Sequence, residues 1–296
     1  MLSIKKRNAP AAPKAPTKKR KKILLSSTFY AETQNVSALI NILKLINNMQ
    51  QNGDIIMNFD EQKVTLHLQT SDATTFGWFE LPGEFFDTYE VDAVAVEAMG
   101  QIYVDWKHFY DYMCSGAKSK NLSFRIDKGN VSAKLFAKTD ASEFEIPLRE
   151  PSMNYLPAPN RDDFADCILA SVRVNSTKLN DVIEMLKKQK LELYNVRVLP
   201  DALSFDANSR TKGVARNTIR YPEDIESIEF HQGKTLVENL VGKKTLGLLK
   251  LAAFFKDVNV NLDFMDNCIL ADTLLDEYHS RYIAALPVRA SDDDNF

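Results

Sequence analysis

Four amphipathic helical patterns recur along this chain, and their spacing limits the fold more than any other feature. They open at Asn35 (NVSALINILKLINNMQ), Asp105 (DWKHFYDYMC), Asn175 (NSTKLNDVIEMLKKQ) and Gly242 (GKKTLGLLKLAAFF). The first and third openings lie 140 residues apart, the second and fourth 137. Asn35, Asp105 and Asn175 suit the N-cap position, where a side-chain oxygen accepts from an orphan amide of the first turn. Between the helices run short segments such as KVTLHLQ, TFGWFEL, LSFRID, SEFEIPL and VNVNLDF. Several of these alternate apolar and polar residues, as half-buried antiparallel strands do. Gln51-Asn52-Gly53-Asp54 marks a turn after the first helix. Helix–strands–helix–strands, twice over, predicts an α+β fold of two similar domains with few helices and much antiparallel sheet. A length of 296 residues allows each domain its own core.

The segment EPSMNYLPAPNRDD, residues 150–163, separates the halves. Pro151, Pro157 and Pro159 prevent regular structure there and favour an extended connector. The expected organisation is a disordered arm over 1–23, domains over 24–149 and 164–290, and an acidic tail over 291–296 that contains Asp292-Asp293-Asp294.

Charge is distributed unevenly. The formal net charge is −3, yet residues 1–22 hold nine Lys/Arg and no acid. The remainder carries 28 bases against 40 acids. An acidic body can contact DNA only through local basic patches, not through its overall field. Within the arm, Lys18, Lys19, Arg20, Lys21 and Lys22 fit three readings: a nuclear-localisation signal, a nucleic-acid-binding arm, or a solvated tail. No apolar run reaches the roughly 18 residues of a membrane span, and no apolar segment follows the basic N-terminus as in a signal peptide. Cys114, Cys167 and Cys268 are far apart, with no CxxC pair, which suits a reducing compartment and predicts no zinc site. His67, His108, His231 and His279 are scattered, and the phosphate-loop, dinucleotide, zinc-protease and nucleophile-elbow motifs are missing. The expectation is a non-enzymatic protein without metal or cofactor, with an unrecognised enzyme as the lesser alternative.

At 100° per residue each helix carries one apolar side and one thin polar stripe. Val36, Leu39, Ile40, Leu43 and Ile46 oppose Ser37, Asn41, Lys44 and Asn48. Trp106, Phe109 and Met113 oppose Lys107, Asp111, Cys114 and Lys118. Leu179, Val182, Ile183 and Leu186 oppose Asp181, Glu184 and Lys188, flanked by Lys178 and Lys187. Leu248, Ala252 and Phe255 oppose Lys243, Gly247 and Lys250. One such stripe is an ordinary solvated face. Four equivalent stripes facing a common channel could touch phosphates without reading bases.

Val64–Tyr89 (VTLHLQTSDATTFGWFELPGEFFDTY) resembles the strand–loop–strand segment of the proliferating cell nuclear antigen family, with Phe85 where the family expects Gly. Leu249–Lys256 (LKLAAFFK) resembles that family's last helix, Tyr282–Pro287 (YIAALP) its closing strand, and the acidic tail its C-terminus. The similarity spans roughly residues 26–290 in matching order. It implies a DNA clamp, usually a homotrimeric ring, with helices lining the hole and sheets outside. It further implies double-stranded DNA as partner, and polymerases and other replication or repair proteins docked through short peptide motifs, in a nucleus or at a viral replication site.

Carried over by position, the DNA-facing residues would be Lys44, Lys107, Lys118, Lys120, Lys187, Lys188 and Lys250, with Asp111 and Cys114 replacing lysines of the pattern. The peptide pocket would comprise Gln69 to Ala73, Tyr155, Leu156, Leu270, Tyr282 and Ile283. The subunit interface would pair Ser142–Leu148, containing Phe144 and Ile146, with Val214–Arg220, containing Val214 and Ile219. The basic arm lies outside the family pattern and suggests a divergent, viral member. It also favours an alternative, a monomeric or dimeric herpesvirus-type processivity or transcription factor, because an open subunit needs extra phosphate contacts.

Overall fold

The computed structural model describes residues 27–288 except 50–52, 70–75, 128–133, 150–155, 190, 210–212, 252–253 and 256. The arm, the tail, Ala73 and Tyr155 therefore lie outside the described residues. The first half runs β1 (Ser27–Thr33), α1 (Val36–Met49), β2 (Asp54–Phe59), β3 (Lys63–Gln69), β4 (Phe76–Pro82), β5 (Thr88–Val91), α2 (Ala93–Met99), β6 (Ile102–Asp105), α3 (Trp106–Ser115), β7 (Leu122–Asp127), β8 (Lys134–Thr139) and β9 (Glu143–Arg149). The second half runs β10 (Ala170–Asn175), α4 (Ser176–Gln189), β11 (Leu193–Leu199), β12 (Ala202–Ser209), β13 (Gly213–Arg220), β14 (Ile225–Phe230), β15 (Val237–Gly242), α5 (Lys243–Leu246), β16 (Asn259–Phe264), β17 (Cys268–Leu274) and β18 (Arg281–Pro287). Apart from α2, the two orders coincide.

The pairing repeats as well. The first half has the orders β5-β1-β7-β8-β9 and β4-β3-β2-β6; the second has β14-β10-β16-β17-β18 and β13-β12-β11-β15. All pairs are antiparallel. The halves are joined where β18 pairs with β4, from Arg281↔Glu80 to Ala285↔Phe76. This makes one continuous 14-stranded sheet, while the four strands β13-β12-β11-β15 form a separate sheet.

The helices form as their patterns require. In α1, Val36, Leu39, Ile40, Leu43 and Ile46 are buried, while Ser37, Lys44 and Asn48 are exposed. Asp105 caps α3 by accepting from the His108 amide at 2.8 Å, and Trp106, Phe109 and Met113 are buried beneath it. Asn175 accepts from the Thr177 amide at 2.9 Å at the start of α4. Each fully enclosed large apolar side chain contributes about 1.5–3 kcal/mol.

The fourth pattern is the exception. It gives one α-turn, Lys243–Leu246, then a 3-10 turn over Gly247–Leu249. After that the Phe254 and Phe255 amides both turn back onto the Leu251 carbonyl. Gly242 and Gly247 supply poor helix propensity, and Leu248, Leu249 and Leu251 are all buried rather than split between two faces. The long last helix expected from periodicity is thus a compact turn among the described residues. Conversely, the apolar segment of α2 was not anticipated. Asp92 caps it by accepting from the Ala95 amide at 3.1 Å, and Gly100 ends it at φ +69°, a conformation that favours glycine.

Candidate functional site

α1 packs against both α3 and the Gly247–Leu249 turn, and that turn packs against α4. The Trp106 indole N–H donates to the Asn47 carboxamide at 3.2 Å, tying α3 to α1. The helices therefore form a row on one side of the sheets. Its solvent face carries exposed Lys44 on α1, Lys107 on α3 and Lys188 on α4. Lys118 and Lys120 are exposed too, but they stand in the turn after α3. Lys250 lies 2.6 Å and Lys187 3.6 Å from the same Glu184 carboxylate. Lys250 first, and then Lys187, hold the Glu184 carboxyl below its usual range. Two of the seven carried-over lysines are thus already partnered. Asp111 and Asp181 are exposed nearby, so the row is only mildly basic.

The opposite side of the β4–β18 junction bears a small apolar cluster of Trp78, Ile168, Met265, Leu270 and Ile283, with Phe76, Ala158, Cys268 and Ala285 packed against it. The connector crosses here. The Trp78 indole N–H donates to the Leu156 carbonyl at 2.8 Å, and the Leu156 side chain is 42% exposed. Arg161 holds the connector's end. Its Nε and Nη2 reach the Asp263 carboxylate at 2.7 and 3.1 Å, and Nη2 also reaches the Ser171 hydroxyl at 3.1 Å.

Leu156, Leu270 and Ile283 are thus brought together, but Leu270 and Ile283 are buried within the cluster rather than lining an open pocket, and Tyr282 is not among them. Strand alternation turns it to the helix side. There it is fully buried, its hydroxyl donates to the Leu248 carbonyl at 3.1 Å, and its ring stacks on Phe79 at 4.8 Å. Gln69 ends β3, beside the undescribed loop. Sequence reasoning missed Trp78, Ile168, Met265 and Arg161. Trp78 alone gave a signal, since a tryptophan in a strand commonly anchors a cluster. His67 stacks on Trp78 at 5.4 Å and on Phe76 at 6.2 Å, and burial pushes its imidazole down to about 4.

At the open edges, β13 pairs only with β12, and β9 pairs with β8 while touching β6 only through Leu148 and Arg149. Residues 143–147 of β9 and all of β13 therefore keep one backbone flank without a strand among the described residues. Ile146 and Ile219 are buried in their own domains at 0% and 2% exposure, so their side chains are core rather than contact surface. Phe144 is half-buried and stacks on Tyr112 at 4.8 Å. Val214 stands in β13.

Two like halves, each with helices on one side of antiparallel sheets, joined edge to edge, define the clamp class of α+β folds. Solved structures agree. Proliferating cell nuclear antigen (PCNA) of Thermococcus kodakaraensis superposes with a TM-score of 0.69 at 13% identity, covering 88% of this chain and 100% of that one. A chain of the PCNA2–PCNA3 complex of Sulfolobus tokodaii gives 0.69 at 14% identity, over 88% and 99%. No family model and no curated sequence matches the chain. The chain has the fold of the PCNA sliding clamps.

Proposed function

We propose that this chain is a sliding-clamp subunit that closes into a homotrimeric ring around duplex DNA and tethers polymerases and other replication and repair proteins. Its clamp units would be residues 24–149 and 164–290, linked by 150–163. The repeat carries this reading. The last strand of the second half, β18, pairs with the fourth strand of the first, β4. The equivalent strands, β9 and β13, are left with open flanks, and the two are not equivalent to each other. A head-to-tail contact of this kind generates closed rings when the rotation closes.

The helix row supports the same contact. Leu45 in α1 is 1% exposed, whereas Met185, 140 residues on in α4, is 45% exposed. The Gly247–Leu249 turn packs on α1. A neighbouring copy's α3, with Tyr112 and Phe144, would cover Met185 in the same way. The mildly basic row suits topological linkage, in which DNA is held loosely and slides. Retention on DNA tests this directly. The ring should stay on nicked circular DNA and run off the linear form at matched salt; equal loss from both contradicts encirclement.

The partner surface would be the connector at the edge of the Trp78 cluster, where Leu156 is exposed and Phe76, Cys268 and Ala285 are half-buried, to take a short peptide with apolar anchors. Replacing Tyr155 and Leu156 together by Ala should weaken peptide binding at least tenfold without unfolding the body. Unchanged affinity in that variant removes the assignment.

One observation favours a second reading, a monomeric or dimeric clamp-like DNA-binding factor. Glu184 neutralises part of the row, while nine Lys/Arg lie in residues 1–22. Deletion of residues 1–22 separates the two. Abolished binding to linear DNA at low salt favours the open factor; unchanged retention on circular DNA favours the ring.

A further inference from the structure

The outward faces of the joined edges and of the open edges carry opposite charge orders. At the internal junction a ladder of alternating sign crosses from β3 to β17. Lys63 pairs with Glu80, Glu80 lies 3.8 Å from Arg281 across the junction, and Arg281 is bidentate on Asp272 at 2.8 and 2.6 Å. There the fourth strand presents the acid and the ninth strand of the other half presents the base.

At the open edges the signs are exchanged. On the second half a ladder runs from β15 to β13: Glu238 to Arg197 at 2.5 Å, Arg197 to Asp206 at 3.3 Å, and Asp206 to Arg216 at 3.1 Å. It stops at Arg216, whose side chain is 59% exposed, with Arg220 also exposed on that face of β13. On the first half Lys134 pairs with Glu145 at 2.6 Å, and Arg125 lies 3.7 Å from Glu143. These end on β9 in Glu145, whose side chain is 57% exposed, and Glu143. The inward residues of the two strands are Phe144 and Ile146 on one, Ala215 and Ile219 on the other, so the acids and the arginines share the outward face.

We propose that this inversion is a pairing code that selects, as partner for β13, the β9 edge of a second copy of this chain. The proposal rests on the assembly proposed above and names its specificity determinants: Glu143 and Glu145 against Arg216 and Arg220. Correct pairing extends both ladders into one of alternating sign. Crossed pairings bring like charges together: β9 against β4 sets Glu143 and Glu145 beside Glu80, and β13 against β18 sets Arg216 and Arg220 beside Arg281. Like charges directly opposite in a sheet are destabilising, and such repulsion is how closely similar edges are kept apart. Two halves of one topology need this, because each has a fourth and a ninth strand able to mate with either counterpart.

Charge reversal in the full chain, read by sedimentation velocity, tests the code. E143K/E145K and R216E/R220E should each lower the assembly to monomer at a concentration where the unaltered chain assembles. The quadruple variant, whose strands are complementary again, should recover the assembled mass. Thermal melts establish that each variant is folded. An unaltered chain that is itself monomeric overturns the ring reading. An assembling chain whose reversals leave the mass unchanged, or a folded quadruple variant that stays monomeric, overturns the code and leaves the ring standing.

Discussion

His67 illustrates how a single side chain reports its surroundings. It is wholly enclosed beside Trp78 and Phe76, and burial favours the neutral imidazole. Its proton affinity is lowered to about 4 in the fold against the ordinary 6.5. Between those values the unfolded chain binds more protons than the folded one. Stability should therefore be complete above about pH 6.5 and fall as the pH drops towards 4. The full difference is up to about 3 kcal/mol, at roughly 1.4 kcal/mol per pKa unit. Urea midpoints measured from pH 4 to 7 should show this slope, and His67→Phe should flatten it; an equal slope in the variant contradicts the assignment. Tyr282→Phe tests the opposite side of the same sheet. It leaves the buried Leu248 carbonyl without that donor and should cost about 1–2 kcal/mol. Neither residue declared its role in the sequence. Tyr282 and Ile283 read alike as closing-strand residues, and only the period of two in β18 sends one to the core and the other to the connector side.

Among elements, the connector depends on two fastenings far apart in sequence: Trp78 to Leu156, and Arg161 to Asp263. Asp263 has a side chain only 2% exposed, so removing its guanidinium partner leaves a buried charge. Arg161→Ala leaves Asp263 with the Ser171 hydroxyl at 2.6 Å and should destabilise the protein by about 1–3 kcal/mol, raising amide exchange over 161–168 first. Protection there equal to that of the unaltered chain would refute the fastening.

The elements themselves were largely legible. Three helices begin within a residue or two of Asn35, Asp105 and Asn175, because capping and apolar periodicity point the same way. The fourth pattern misled, since a run of leucines buried on all sides has the composition of a helix without its geometry. α2 escaped notice because AVAVEAM carries no polar stripe to mark a period. The partnered lysines were equally invisible: Glu184 and Lys250 are 66 positions apart, and only the fold brings them to 2.6 Å.

The whole molecule is read from its repetition. The 140-residue offset predicted two similar domains, and the structure shows the same strand order in each half. The sequence could not disclose which edges are joined within the chain and which stay open, because that depends on the pairing of β18 with β4 across the full chain length. The open pair, β9 and β13, then carries the account's central claim, a ring closed by copies of one chain. The mass of the full chain in solution, by light scattering at micromolar concentration, tests it most directly. The ring requires about three times the 33.5 kDa of one chain. A stable particle of one chain's mass under the same conditions contradicts it.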